Sequence, residues 1–201
     1  LVLGGERHAF SLCRPPGHHA SADVYGGYCF FNNAAVAAQS FRDRGAGTVA
    51  ILDVDYHHGN GTQAIFYDRS DVVFASLHGH PQQEYPFFLG WDDETGTGAG
   101  EGANRNWPLR HGTAWDAYGA ALDEACAYLA GHRPDVLVVS LGVDTFKDDP
   151  ISKFRLEHED YLRIGAAIAG LDVPTLVVFE GGYAVSEIGI NAVNVLEGMS
   201  T

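Results

Sequence analysis

No apolar run in this 201-residue chain approaches the length that a membrane-spanning helix needs, and no signal-peptide pattern is written in it. Cysteine is scarce. Cys13, Cys29 and Cys126 are an odd number with no Cys-x-x-Cys spacing, which argues against a disulfide framework and for a reducing, cytoplasmic setting. Cys29 is a candidate nucleophile by residue type, but buried, inert thiols are expected at all three positions. Basic residues are also few. They number 12 against 26 acids, giving a formal net charge of −14, and none of them cluster. A nucleic-acid partner is thereby disfavoured. Repeats and low-complexity segments are absent too, so one domain is expected over residues 1–201.

What is present is an ordinary globular composition, 46% hydrophobic and 19% charged, with length enough for a sizeable core. Strand-like runs recur at Ala9–Cys13, Thr48–Val54, Val72–Leu77, Val136–Leu141 and Thr175–Phe179. The last four are almost uniformly apolar, as in parallel strands covered on both faces. Helical stretches alternate with them: Asn33–Arg44, stopped by Gly45, then Thr113–Ala130, Glu159–Ala169 and Glu187–Leu196. This alternation predicts an open α/β fold with a mainly parallel sheet flanked by helices. The stretch from Gly79 to Gly112 is rich in glycine and aromatics and lacks periodicity, and it reads as a long functional loop. Leu1 stands where an initiating Met would, so the chain is expected to be a portion of a longer protein, lacking its N-terminal part.

The most informative segment runs from Ile51 to Gly61, IleLeuAspValAspTyrHisHisGlyAsnGly. Its apolar strand gives way to Asp53, Asp55 and His57 at alternate positions, which share one side of an extended chain. In open α/β sheets ligands bind beyond the carboxyl ends of the strands, and the chain's polar clusters fall there: His18-His19, Ser76 and His78, Asp144, and Tyr183 behind Gly181 and Gly182. Asp55, His57 and Asp144 would give two carboxylates and an imidazole. Three protein ligands leave a fourth position open, as in catalytic zinc sites; the competing reading of Asp144 is a turn residue. The tandem His18-His19 has two candidate orienting partners, Asp53 and Asn60. An aspartate drives a histidine toward imidazolium, whereas a neutral asparagine leaves it near its ordinary pKa, so that pairing would supply an acid and a base. Asp53 is equally a candidate ligand for a monovalent cation with the Ser76 hydroxyl. Tyr183 can donate to a developing oxyanion or simply pack at a loop base.

As a set, the segments ArgProProGlyHisHisAla, GlyGlyTyrCysPhePheAsnAsnAlaAlaValAlaAla, IleLeuAspValAspTyrHisHisGlyAsnGlyThrGln, PheAlaSerLeuHisGly, SerLeuGlyValAspThrPhe and GluGlyGlyTyr resemble the zinc-dependent histone deacetylase superfamily, and within it the acetylpolyamine amidohydrolase branch. The resemblance implies the arginase/deacetylase fold, one catalytic zinc on Asp55, His57 and Asp144, and His19 as general base and acid with His18 as its electrostatic partner. It implies Tyr183 as the donor that polarises the carbonyl. A structural potassium is implied at Asp53, Ser76 and Leu77, and a second near Phe66, Arg69, Val72 and Asn106. Gly27, Tyr28 and Phe88 match positions lining an acyl-chain tunnel. Asn60 stands where class I deacetylases carry aspartate, which favours the class II and polyamine branches. The expected substrate is a small cationic acetylated amine, with acetyl-lysine in proteins as the alternative, and the full-length protein is expected to pair as a homodimer. Two rivals remain: a dimanganese ureohydrolase of the same fold, disfavoured by Gly142 two positions before Asp144, and a non-catalytic binding module, disfavoured by the full histidine, tyrosine and ligand set.

Overall fold

A computed structural model describes residues 1–200. Strands β1 (His8–Ser11), β2 (Val49–Asp53), β3 (Val72–Gly79), β4 (Asn104–Leu109), β5 (Val136–Leu141) and β6 (Thr175–Phe179) form one parallel sheet in the order β1-β6-β5-β2-β3-β4. Helices α1 (Asn33–Asp43) and α2 (Asn60–Phe66) cover one face; α3 (Trp115–Gly131), α4 (His158–Ala169) and α5 (Ile188–Gly198) cover the other. This is the open α/β arrangement that the alternation of strands and helices predicts.

Coverage on both faces explains why β2, β3 and β5 are buried at every position and apolar almost throughout. Side-chain parity sorts β2 into two cores. Val49 and Ile51 pack with Ala34, Ala38 and Phe41 of α1, whereas Ala50 and Leu52 pack with Tyr118 and Leu122 of α3. Helix α1 starts where the Asn32 side chain accepts from the Ala35 amide, and the chain leaves it through Gly45 at φ +100, the left-handed position a glycine tolerates. At α4, Glu157 and Asp160 form a reciprocal capping box.

Two elements depart from expectation. Strand β4 lies inside the stretch read as loop, because its sequence, NRNWPL, hides the strand signal. It is an edge strand, where Pro108, which has no N–H to donate, is tolerated. Its buried Asn104 and Asn106 spend their amides on the Gln63 side chain, so the face they share is polar, while Trp107 on the other face joins the core. Helix α2 starts within the His-His-Gly-Asn-Gly segment, where two glycines mask any helical pattern.

The strand order places the site. From β2 the chain winds outward through β3 and β4, then returns to the other side of β2 as β5 and β6. The carboxyl ends of β2 and β5 therefore flank the point where the winding reverses, which is where ligands bind in such sheets.

Candidate active site

The alternation of β2 continues past its last residue. Val54 and Tyr56 stay in the core that holds Ala50 and Leu52, so Asp53, Asp55 and His57 take the opposite parity. Asp144 approaches from the loop after β5. One ligand atom each from Asp55, His57 and Asp144 lie within 4.8 Å of one another, and all three residues are buried. His57 Nδ1 is 3.0 Å from Asp144 Oδ2 and 3.4 Å from Asp55 Oδ1. Backbone amides aim both carboxylates: Tyr56 N donates to Asp144 Oδ1 at 2.9 Å, and Gly181 N to Asp55 Oδ2 at 2.8 Å.

The donor set fits a cation. Asp53, Asp55, Asp144 and Glu180 are four fully buried carboxylates, and none has an Arg or Lys ion-pair partner among the described residues. Burial and the neighbouring Asp55 charge push Asp144 up to about 7, even though His57 opposes them. Burial would lower the His57 pKa, yet the two carboxylates outweigh it and raise it to about 10. Two acids and an imidazole competing for protons at this spacing are groups that a divalent metal would satisfy together. A Cβ at Gly142 would sit 2.1 Å from Asp55 Oδ2, so the backbone beside this group approaches it as closely as only glycine allows.

The tandem histidines are buried, and each has its own partner. His18 Nδ1 lies 2.9 Å from Asp53 Oδ2, and His19 Nδ1 lies 2.7 Å from Asn60 Oδ1. Burial would depress His18, but Asp53 and Asp55 overcome it and hold its pKa well above the ordinary value. His19 departs from the expectation that an Asn-paired histidine stays near its ordinary pKa. Burial, reinforced by the His18 charge, holds it well below that value. The two rings are 4.0 Å apart, and their surroundings push their pKa values in opposite directions.

Two features absent from the sequence reading hold this pair. The carboxylate of Glu180, from the GluGlyGlyTyr segment, accepts from Gly17 N at 2.6 Å, His18 N at 3.2 Å and Ser140 Oγ at 3.1 Å. Two amides in the first turn of α2, those of Gly61 and Thr62, donate to the His18 carbonyl at 3.0 and 3.1 Å. A Cβ on Gly61 would meet the Ala20 carbonyl at 2.4 Å, so this approach requires glycine.

A cavity of about 460 Å³ opens onto these groups, lined by His19, Gly27, Tyr28, His57, Glu84, Tyr85, Phe87, Ile151 and Tyr183. Gly27 and Tyr28 lie on its wall, and Tyr183 faces Tyr28 with ring centres 6.1 Å apart. Phe88 does not line it. Phe87 takes that place, and Phe88 is 72% exposed. Tyr85, whose ring stands edge-on to His19 at 4.9 Å, was not anticipated. An aromatic-rich segment after β3 was the available signal.

Asp53 and Ser76 are register partners on β2 and β3, with Leu77 buried next in line and His78 bonded to the Ser76 hydroxyl at 2.8 Å. Phe66 ends α2, Arg69 stands between α2 and β3, Val72 opens β3, and Asn106 pairs with Ser76 from β4. Of the cysteines only Cys29 is fully buried, its thiol pushed up to about 11 by burial; Cys13 and Cys126 are half-buried.

The profile of the histone deacetylase domain matches residues 1–199. The chain belongs to the histone deacetylase family. Within that family it is 68% identical over 194 residues to acetylpolyamine amidohydrolase 1 of Pseudomonas aeruginosa, covering 96% of this chain and 56% of that protein. It is 57% identical over 200 residues to the acetylpolyamine amidohydrolase of Mycoplana ramosa, covering 100% of this chain and 59% of the relative. The crystal structure of acetylpolyamine aminohydrolase from Burkholderia pseudomallei superposes with a TM-score of 0.97 at 45% identity, over 100% of this chain and 58% of that one. The chain thus spans a little over half the length of these family members. No described helix is long and apolar enough to cross a membrane.

Proposed function

We propose that this protein is a zinc-dependent amidohydrolase that removes acetyl groups from N-acetylated primary amines, acetylpolyamines in particular. The observation that carries the reading is convergence: His57 of the Asp55-His57-Asp144 group lines the same cavity as His19 and Tyr183. Two carboxylate oxygens and an imidazole nitrogen suit zinc, which when bound supplies Lewis acidity toward an acetyl carbonyl and toward water. The residues supply the rest. Because the Asn60 amide oxygen accepts at His19 Nδ1, that nitrogen carries the proton and Nε2 is the free base. His19 takes a proton from the attacking water and returns it to the leaving amine, so amide and water become amine and acetate. The Tyr183 hydroxyl donates to the oxyanion between these steps. His18, held charged by Asp53, stabilises the site without moving protons.

The substrate class rests on the named relatives and on charge. The cavity wall is aromatic and apolar apart from the catalytic groups and Glu84, and the chain carries a formal charge of −14. Both favour a cationic amine with an aliphatic stem. Potassium at Asp53, Ser76 and Leu77 belongs to the same proposal, since a buried carboxylate and hydroxyl on adjacent strands are hard oxygen donors. We include a homodimer of the complete protein, in keeping with the exposed Tyr25, Phe30 and Phe31 on the segment that carries Tyr28.

Steady-state assays of the zinc-loaded full-length protein on acetylputrescine, acetylspermidine and acetyl-lysine peptides test the reading. Preference for the polyamines is expected. Preference for the peptides would move the protein to lysine deacetylation, and no acetate release from any of them would end the amidohydrolase reading.

A further inference from the structure

Tyr183 follows two glycines, Gly181 and Gly182, the second at φ +142, so the local backbone has little preference of its own. What fixes it is Asp149, on the loop after β5 that also carries Asp144. Asp149 Oδ2 accepts from Tyr183 N at 2.7 Å and from Ala184 N at 3.2 Å, while Oδ1 accepts from Ile151 N at 3.0 Å. The residue is 6% exposed and has no Arg, Lys or His ion-pair partner among the described residues. Its desolvated carboxylate is therefore compensated by three backbone N–H groups, two beside the proposed oxyanion donor and one on Ile151, a cavity-wall residue.

We propose that Asp149 is a positioning residue: it locks the Tyr183 segment to the loop bearing Asp144 and Ile151, and so fixes the reach of the Tyr183 hydroxyl over the cavity. The geometry explains why a flexible glycine turn can present a catalytic phenol. Gly181 is tied to Asp55 on one side of Tyr183, and Asp149 holds Tyr183 and Ala184 on the other. A merely solvated loop aspartate would need neither its burial nor its three donors. This inference rests on the proposed role of Tyr183.

The test is a double-mutant cycle in the zinc-loaded full-length protein, with Asp149→Ala, Tyr183→Phe and both together. Tyr183→Phe alone is expected to lower kcat by about 10²–10³-fold, the usual effect of losing one oxyanion donor. Asp149→Ala alone is expected to lower kcat by roughly 10–100-fold with a smaller change in KM, a part of the same donor's contribution. In the Tyr183→Phe background the same change should cost less than about threefold, because the two act as one unit. Asp149→Asn keeps one carbonyl acceptor and should recover part of the loss. Equal losses in both backgrounds would overturn the proposal.

Hydrogen exchange gives a readout independent of turnover. Amides 183 and 184 should exchange faster in Asp149→Ala while β5 and β6 keep their protection, and unchanged protection at 183 and 184 would overturn the inference. If the parent protein proves inactive on every acetylated amine, the amidohydrolase reading falls, and the exchange result still decides whether Asp149 holds this segment.

Discussion

The Nδ1 atom of His19 lies 2.7 Å from the amide oxygen of Asn60. That partner is neutral, so burial and the His18 charge can keep the His19 pKa well below the ordinary histidine value. Asn60→Asp would put a carboxylate in the same place and favour the imidazolium. The sign follows: the His19 pKa rises, the neutral base is lost at higher pH than before, and the acid limb of the kcat/KM profile moves up. A limb that stays put in Asn60→Asp would remove His19 from the role of general base.

Metal retention should depend on all three ligands together. Asp144→Asn keeps an oxygen for the Tyr56 amide, which donates to Asp144 at 2.9 Å, but removes the charge. After dialysis, its zinc content by mass spectrometry should fall far below one per chain with the fold retained. Stoichiometric zinc in that variant would refute the ligand assignment.

The cavity wall separates two adjacent phenylalanines. Phe87 lines the cavity and Phe88 faces solvent. Phe87→Ala should raise KM for an acetylated polyamine by roughly tenfold, the scale of burying one aromatic side chain against a ligand stem. Phe88→Ala should leave KM within about twofold, as surface substitutions do. The reverse pattern would restore Phe88 as the wall residue.

Charge steering should be visible in salt. The specificity constant for a cationic acetylpolyamine should fall as ionic strength rises, because the surface field of an acidic protein is screened within about 10 Å at 0.1 M. A neutral acetamide should show almost no change. Identical salt curves for both substrates would show that the acidic balance plays no part in substrate capture.

Much of the site was legible because its chemistry is concentrated at strand ends. Asp53, Asp55 and His57 lie at alternate positions of one extended segment, so their shared side follows from backbone geometry alone. Uniformly apolar runs placed β2, β3, β5 and β6 to within two residues at each end. Strand β4 stayed hidden because two of its three buried positions are Asn104 and Asn106, whose burial is made tolerable by Gln63, a residue 41 and 43 positions away.

What this sequence determined by itself was the inventory: a parallel α/β sheet, a candidate metal group of two acids and one imidazole, two histidines with candidate partners, and a tyrosine on a glycine turn. The tertiary structure decided how those groups are held. Glu180 reaches Gly17 across 163 positions and Asp149 reaches Tyr183 across 34, and no local pattern separates a carboxylate that accepts buried amides from one that meets water. Phe87 and Phe88 both adopt positive φ, 54 and 61, where neither strand nor helix period predicts which ring turns inward. The His19 pKa was also beyond sequence, since it depends on burial and on the distance to a neighbouring charge, quantities that exist only once the chain has folded.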